Sequence, residues 1–288
     1  MSNQSHRQCG ECYKYAPRRR VRCLRGQTIL SATISSGTRK YALAAALAAA
    51  TTAFSSASAV AQLTDEIFDE DQLGAVFTLS LGGKLYDDAW SVLELEPPGE
   101  RNPAFPDRTA PVRDTWRCVS CHGWDYEGAD GERGRVVPSA KAPSLAPLRG
   151  VDPAVVIEKL LEPSHPFPSD ILADLALLIL GAFISEGQYD RAAILDSNGK
   201  ALGDPIAGRD TFEGACINCH QLDGRAFLRG EVGDRSSLGW VTRNRPEQAL
   251  HKILNGVPVA EMLSLRFLPD RTIADLLAYI QAIDVNNR

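Results

Sequence analysis

Two short stretches carry the residue types best suited to chemistry: Cys118-Val119-Ser120-Cys121-His122 and Cys216-Ile217-Asn218-Cys219-His220. Two thiols two residues apart on a helical turn can each form a thioether to one edge of a flat macrocycle. The histidine that follows then lies over the centre of that ring. C-x-x-C-H is the attachment pattern of a c-type haem, with the histidine as proximal iron ligand. The other uses of paired cysteines fit less well. A redox dithiol does not need the histidine. A zinc ribbon places its two knuckles about 15–20 residues apart, whereas these motifs begin 98 residues apart. Two covalently bound c-type haems are therefore expected, held by Cys118, Cys121, Cys216 and Cys219, with His122 and His220 on iron.

A haem used for electron transfer wants a second axial ligand, and the supply is small. Beyond residue 61 the chain has one methionine, Met262, and four histidines, His122, His165, His220 and His251. Met262 follows His220 by 42 residues, and His165 follows His122 by 43. The two therefore fall at matching positions of an internal repeat. His165 is assigned to the first iron and Met262 to the second. The alternatives are a surface loop histidine among Pro163, Pro166 and Pro168, and a core-filling methionine. His251 competes for the second iron but falls inside a helical pattern, so a surface or propionate-side role suits it better.

The flanking elements repeat in the same order. Pro153 opens a helical pattern with Val155, Val156, Ile157, Leu160 and Leu161, which Pro163 ends, and His165 sits in the loop beyond. Pro246 opens another with Ala249, Leu250 and Ile253, which Asn255-Gly256 ends, and Met262 follows in its own loop. Each loop leads into an apolar helix, one beginning at Leu172 and one spanning Ile273–Ile280. The apolar run 171–184 is too short to cross a bilayer, which takes roughly 20 residues, and reads as a buried helix or part of a partner face. The stretch Gly123–Gly134 reads as an acidic, solvated loop rather than a metal site.

The chain has 288 residues, 44% hydrophobic and 23% charged, with a formal charge of −5. That composition excludes a disordered chain, a collagen and a multi-span membrane protein, and the acidic balance argues against nucleic-acid binding. Seven cysteines, an odd number, make a plain disulfide framework unattractive. The charge is also unevenly spread. Residues 1–61 hold nine of the 31 basic residues and only one of the 36 acidic ones, which leaves 22 basic against 35 acidic, or −13, on 62–288. After the basic stretch come an apolar run from Tyr41 to Phe54 and the small-residue site Ala59-Val60-Ala61, with Ala57-Ser58-Ala59 as a second choice. The order basic, apolar, A-x-A is that of an export signal. Its removal would discard Cys9, Cys12 and Cys23 and deliver the rest to the periplasm.

Taken together, these residues resemble the bacterial class I cytochrome c family in a tandem dihaem form, over roughly 74–288. Gly208 and Phe212 resemble the helix-crossing face of the family's N-terminal helix, Tyr279 the aromatic that packs on it, and Met262 the methionine ligand. Gly83-Lys84-Leu85-Tyr86 resembles the same N-terminal helix of a first domain. There 31 residues and five prolines intervene before Cys118, in a loop or extended wrap. Trp116 through Tyr126 is similar to a branch of dihaem cytochromes found in respiratory chains. The resemblance implies an all-α fold of two cytochrome c domains after a signal peptide (1–61) and an acidic segment (62–73). The domains would be 74–187 and 208–288, joined by a linker 188–207. It further implies that a proline carbonyl receives the proximal imidazole N–H. Pro143 and Pro147 are candidates in the first domain, and no proline is available between Gln221 and Arg245 in the second.

The expected function is single-electron transfer from a lower-potential bis-histidine haem to a higher-potential His/Met haem, because methionine ligation raises the potential. With both irons six-coordinate, no open position is left for a substrate. The alternative is a dihaem oxidoreductase, like thiosulfate dehydrogenases or peroxidases, acting on a small inorganic substrate. The expected partners are a protein redox donor and acceptor presenting a basic docking face to the acidic surface. No nucleic acid and no transmembrane span are expected.

Overall fold

The computed structural model describes residues 70–137, 139–168, 173–227 and 237–283. The export signal read at 1–61 and the acidic segment up to residue 69 lie outside them. Among the described residues the regular elements are helices, joined by loops that contain only two isolated β-bridges. None of these helices is long and apolar enough to cross a membrane.

The first half is built on two long helices. Helix α1, Glu70–Val92, breaks its own geometry at Asp88 (φ −153°, ψ 85°). It carries Leu85, Tyr86 and Trp90 into the interior. Its partner is the apolar run near residue 180, which forms a helix, here α5, over Asp174–Glu186. Ala176, Leu177, Leu180, Phe183 and Ile184 recur at helical spacing and are buried, whereas Leu175 and Leu178 stay exposed at 68% and 57%. The run is thus a one-faced helix with two leucines left in solvent. Gly82 lets α1 lie directly on the side chain of Phe183 and the carbonyl of Ile179. Gly83, its neighbour, belongs to the stretch that resembles the family's N-terminal helix. That residue is turned instead toward Asn255 in the second half, because one step along a helix rotates the chain by about 100°.

Between these helices come α2 (Cys118–His122), α3 (Glu132–Val136) and α4 (Pro153–Leu160). Pro153 starts α4 at a position where its missing N–H is not needed, and the Asp152 carboxylate accepts from Ala154 N at 2.9 Å. The proline-rich stretch 97–111 is an irregular loop fixed by Arg101, whose guanidinium donates to the carbonyls of Asp107 and Ala110 (3.1 and 2.7 Å). Phe105 anchors its middle, only 1% exposed.

The connecting segment is itself packed. Helix α6, Arg191–Ile194, is capped by Asp190, and Leu195 bridges Ala201. Ile194 and Leu195 are buried.

The second half follows with α7 (Pro205–Ala215), α8 (Ile217–His220), α9 (Leu238–Asn244), α10 (Pro246–Asn255) and α11 (Asp270–Ala282). Helices α7 and α11 cross at Gly208, whose bare Cα rests on the Asp275 backbone. Phe212 packs on Tyr279 there, ring centroids 5.3 Å apart. Burying such a phenylalanine contributes roughly 1.5–3 kcal/mol. Gly82-x-x-x-Tyr86 against Phe183 is the same arrangement in the first half, with Tyr86 and Phe183 5.7 Å apart. Helix α10 ends as its sequence requires, at Gly256 with φ +82°.

The two halves meet in a shared core, and the described residues form one compact unit. His251 of α10 is fully buried at the junction. Its Nε2–H donates to Gly83 O at 3.0 Å, and its Nδ1 accepts from the Tyr126 hydroxyl at 2.8 Å. A surface or propionate-side role for His251 is therefore corrected: both ring nitrogens are engaged inside the protein. Asp87, also buried, pairs with Arg117 beside the first cysteine and with Lys252 of α10 at 2.7 Å.

Candidate functional site

Helix α2 holds the first motif. Its backbone turn brings Cys118, Cys121 and His122 to the wall of a cavity of about 560 Å³, inside the roughly 300–1,000 Å³ range of cofactor sites. Leu145, Leu148, Val156, Leu160, Leu180 and Ile184 give it an apolar lining. These come from the segment after Tyr126, from α4 and from α5, so the leader helix and the apolar helix read from the sequence both serve to wall it. Arg117, Arg133 and Lys141 also reach the cavity wall.

His165 lines the same cavity. Its ring lies 6.2 Å from that of His122 between centroids, with the planes 23° apart. The loop after α4 places it there, with His165 N bonded to Glu162 O at 2.8 Å. The hydrogen bonds fix both tautomers, because carbonyl oxygens only accept. His122 Nδ1–H donates to Pro143 O at 3.0 Å, and His165 Nδ1–H donates to Lys159 O at 2.9 Å. In the neutral form of each ring, Nε2 is then the nitrogen that carries the lone pair. Burial pushes the His122 imidazolium down to about 4, so the ring is neutral near pH 7. Pro143, one of the two prolines named from the sequence, is the acceptor.

Cys118, Cys121 and Cys216 are not set up as nucleophiles. Burial pushes Cys118 up to about 12 and Cys216 up to about 11, and raises Cys121. A reactive C-x-x-C cysteine would instead be lowered toward or below 7. None of the four cysteines is in a disulfide.

The second motif lies on α8 with Cys216 just before it. His220 is half-buried, and its ring meets Phe227 edge-on at 5.3 Å. Met262 is half-buried against the common core in the loop after α10. Residues 228–236, which run between these two, lie outside the described residues. The structure therefore brings His122 and His165 together, and it places His220 and Met262 on separate elements of the second half.

The loop after the first motif differs from its sequence reading. Gly123–Gly134 is packed rather than solvated. Asp125 and Tyr126 are buried at 4% and 1%, and Asp125 accepts from the backbone N–H groups of Glu127 and Glu132. A carboxylate that caps its own loop in this way is drawn inward with the chain. Tyr189 donates to Trp124 O at 2.7 Å and Tyr86 to Gly123 O at 2.6 Å, which ties this loop to α1 and α5's C-terminal side. No family model, no curated protein and no solved structure matches this chain.

Proposed function

We propose that the chain is a periplasmic dihaem c-type cytochrome that passes single electrons between protein partners. The observation that carries this reading is the pair His122 and His165. Two imidazoles face one cavity, each with Nδ1 held by a backbone carbonyl. At 6.2 Å between centroids the two rings are near enough for both to hold the same iron. The donor chemistry fits as well, since an axial imidazole must be neutral at one nitrogen and gains basicity when the other donates a hydrogen bond.

Cys118 and Cys121 would hold the first haem covalently, and His122 and His165 would bind its iron. Cys216, Cys219, His220 and Met262 would do the same in the second half. When bound, each haem supplies a one-electron iron couple. The residues around the first site supply the rest. Pro143 and Lys159 hold the imidazole rings in fixed orientation through their carbonyls. The leucines and isoleucines of α4 and α5 keep bulk water from the cavity. Arg133 and Lys141, on its wall, suit the carboxylates at a haem's polar edge. Two histidine ligands would give the first site the lower potential and Met262 would raise that of the second, which would direct electrons from the first half to the second.

The deciding experiment is spectroscopic. Holoprotein secreted with its haems attached should show two covalent haems per chain and two low-spin signals. His165→Ala should convert one signal to high-spin, and added imidazole should restore it. Unchanged spectra in His165→Ala, or rapid stoichiometric carbon monoxide binding by the reduced wild type, would overturn the assignment.

A further inference from the structure

A second cavity, of about 440 Å³, borders the same helix α2. Val119 and Ser120 line it, as do Gly123 and Trp124 just beyond His122. Glu132 of α3 also lines this cavity, and its carboxylate accepts from Trp124 N at 3.3 Å. That link ties the acid to the peptide two residues past the proposed iron ligand.

The charges around Glu132 leave it without a counter-ion among the described residues. From its own loop, Asp125 is buried and lies 3.9 Å from Arg135, which is mostly exposed. From α10, Glu247 is buried and occupied by Arg191 at 2.9 Å, while Lys252 sits over the Trp124 ring and pairs with Asp87. From the loop before α2, Asp107 and Asp114 line the cavity, and Arg117 is held by Asp87 and Asp114. On α3 itself, Arg133 lies over the Phe105 ring at 5.6 Å. Burial first, then the negative charges of Glu247 and Asp125, push the Glu132 carboxyl up to about 7, outweighing the Trp124 N–H and Arg135. The cavity gives this acid a route to solvent, and the Trp124 bond gives it a route to the redox site.

We propose that Glu132 takes up one proton when the first site takes up one electron, so that the first site is a proton-coupled redox centre. The inference rests on the haem reading of that site. One electron arrives from a one-electron donor protein, and one proton from water in the second cavity settles on the Glu132 carboxylate. The net charge of the region is unchanged, which matters where the medium screens poorly. When the electron moves on, the proton returns by the same cavity.

The test is a spectroelectrochemical titration of the holoprotein on both sides of neutral pH. The first haem's midpoint should fall as pH rises, approaching 59 mV per tenfold drop in proton concentration, the factor for one proton per electron. The second haem's midpoint should stay level. Glu132→Gln keeps an oxygen for the Trp124 N–H and removes the titration, so its first-haem midpoint should be flat. Wild-type infrared difference spectra should show a protonated carboxyl appearing on reduction, a readout that needs no variant. A flat wild-type titration, an unchanged slope in Glu132→Gln, or no carboxyl signal on reduction would overturn this inference while leaving the haem assignment intact. A preparation with no haem would overturn that assignment first, and is seen before any titration begins.

Discussion

The sharpest test of the second half uses one substitution at two glycines of helix α7. A Cβ built on Gly208 would overlap the Asp275 carbonyl and lie 2.8 Å from Leu276 N. Both are backbone atoms of α11 and have nowhere to move without parting the helices. Overpacking of this kind costs about 1–3 kcal/mol, occasionally more. A Cβ on Gly214 would meet nothing within 4 Å. There the only change is conformational, and alanine is better than glycine in a helix by about 0.8–1.0 kcal/mol. Gly208→Ala should therefore destabilise by about 2–3 kcal/mol, and Gly214→Ala should stabilise by somewhat under 1 kcal/mol. Urea unfolding of the holoprotein at constant m-value measures both. If Gly208→Ala is as stable as wild type, the close crossing of α7 and α11 is wrong. If both variants lose stability alike, the contrast drawn from the geometry fails.

Two further outcomes are expected. Burial holds the His251 imidazolium down to about 4 in the folded protein, against about 6.5 unfolded. The unfolded chain therefore binds more protons between these values, and stability is lost as pH falls through that window. At 1.36 kcal/mol per unit the full effect is about 3 kcal/mol. His251→Gln, which can still accept from Tyr126 and donate to Gly83, should show a shallower acid slope in thermal melts, and an identical slope would rule His251 out as the cause. Association with a basic partner, finally, should slow on the order of tenfold as salt rises from low to physiological strength. Stopped-flow rates that ignore salt would remove the acidic surface from the docking step.

The chemistry-bearing elements were the easiest to read, because their signals are local. C-x-x-C-H spacing sets α2 and α8, proline at the first turn sets α4 and α10, and the nearly equal offsets of His165 and Met262 point to the loops beyond them. The resemblance implied a proline acceptor but left Pro143 and Pro147 open, and only the folded loop selects Pro143. What stayed hidden depends on distant partners. His251 looks like a helix-surface residue until Gly83 and Tyr126, 168 and 125 residues away, use both of its nitrogens. Asp125 and Glu132 make their stretch look solvated by composition, yet the Asp125 carboxylate bonds backbone N–H groups and is folded under. Gly82 and Gly83 are alike as residue types, and only the phase of α1 against two neighbours decides which one meets Phe183.

The buried Asp87 carboxylate has a consequence for how this chain can be divided. One of its cations, Arg117, belongs to the segment that grips the first cavity, and the other, Lys252, to a helix of the second half. A gene fragment ending in the connecting segment would lose Lys252, uncover the Trp124 face it covers, and remove His251 from Tyr126. Uncompensated buried charge is costly to leave behind. The two halves are therefore obligate partners: neither would keep its interior intact if expressed alone.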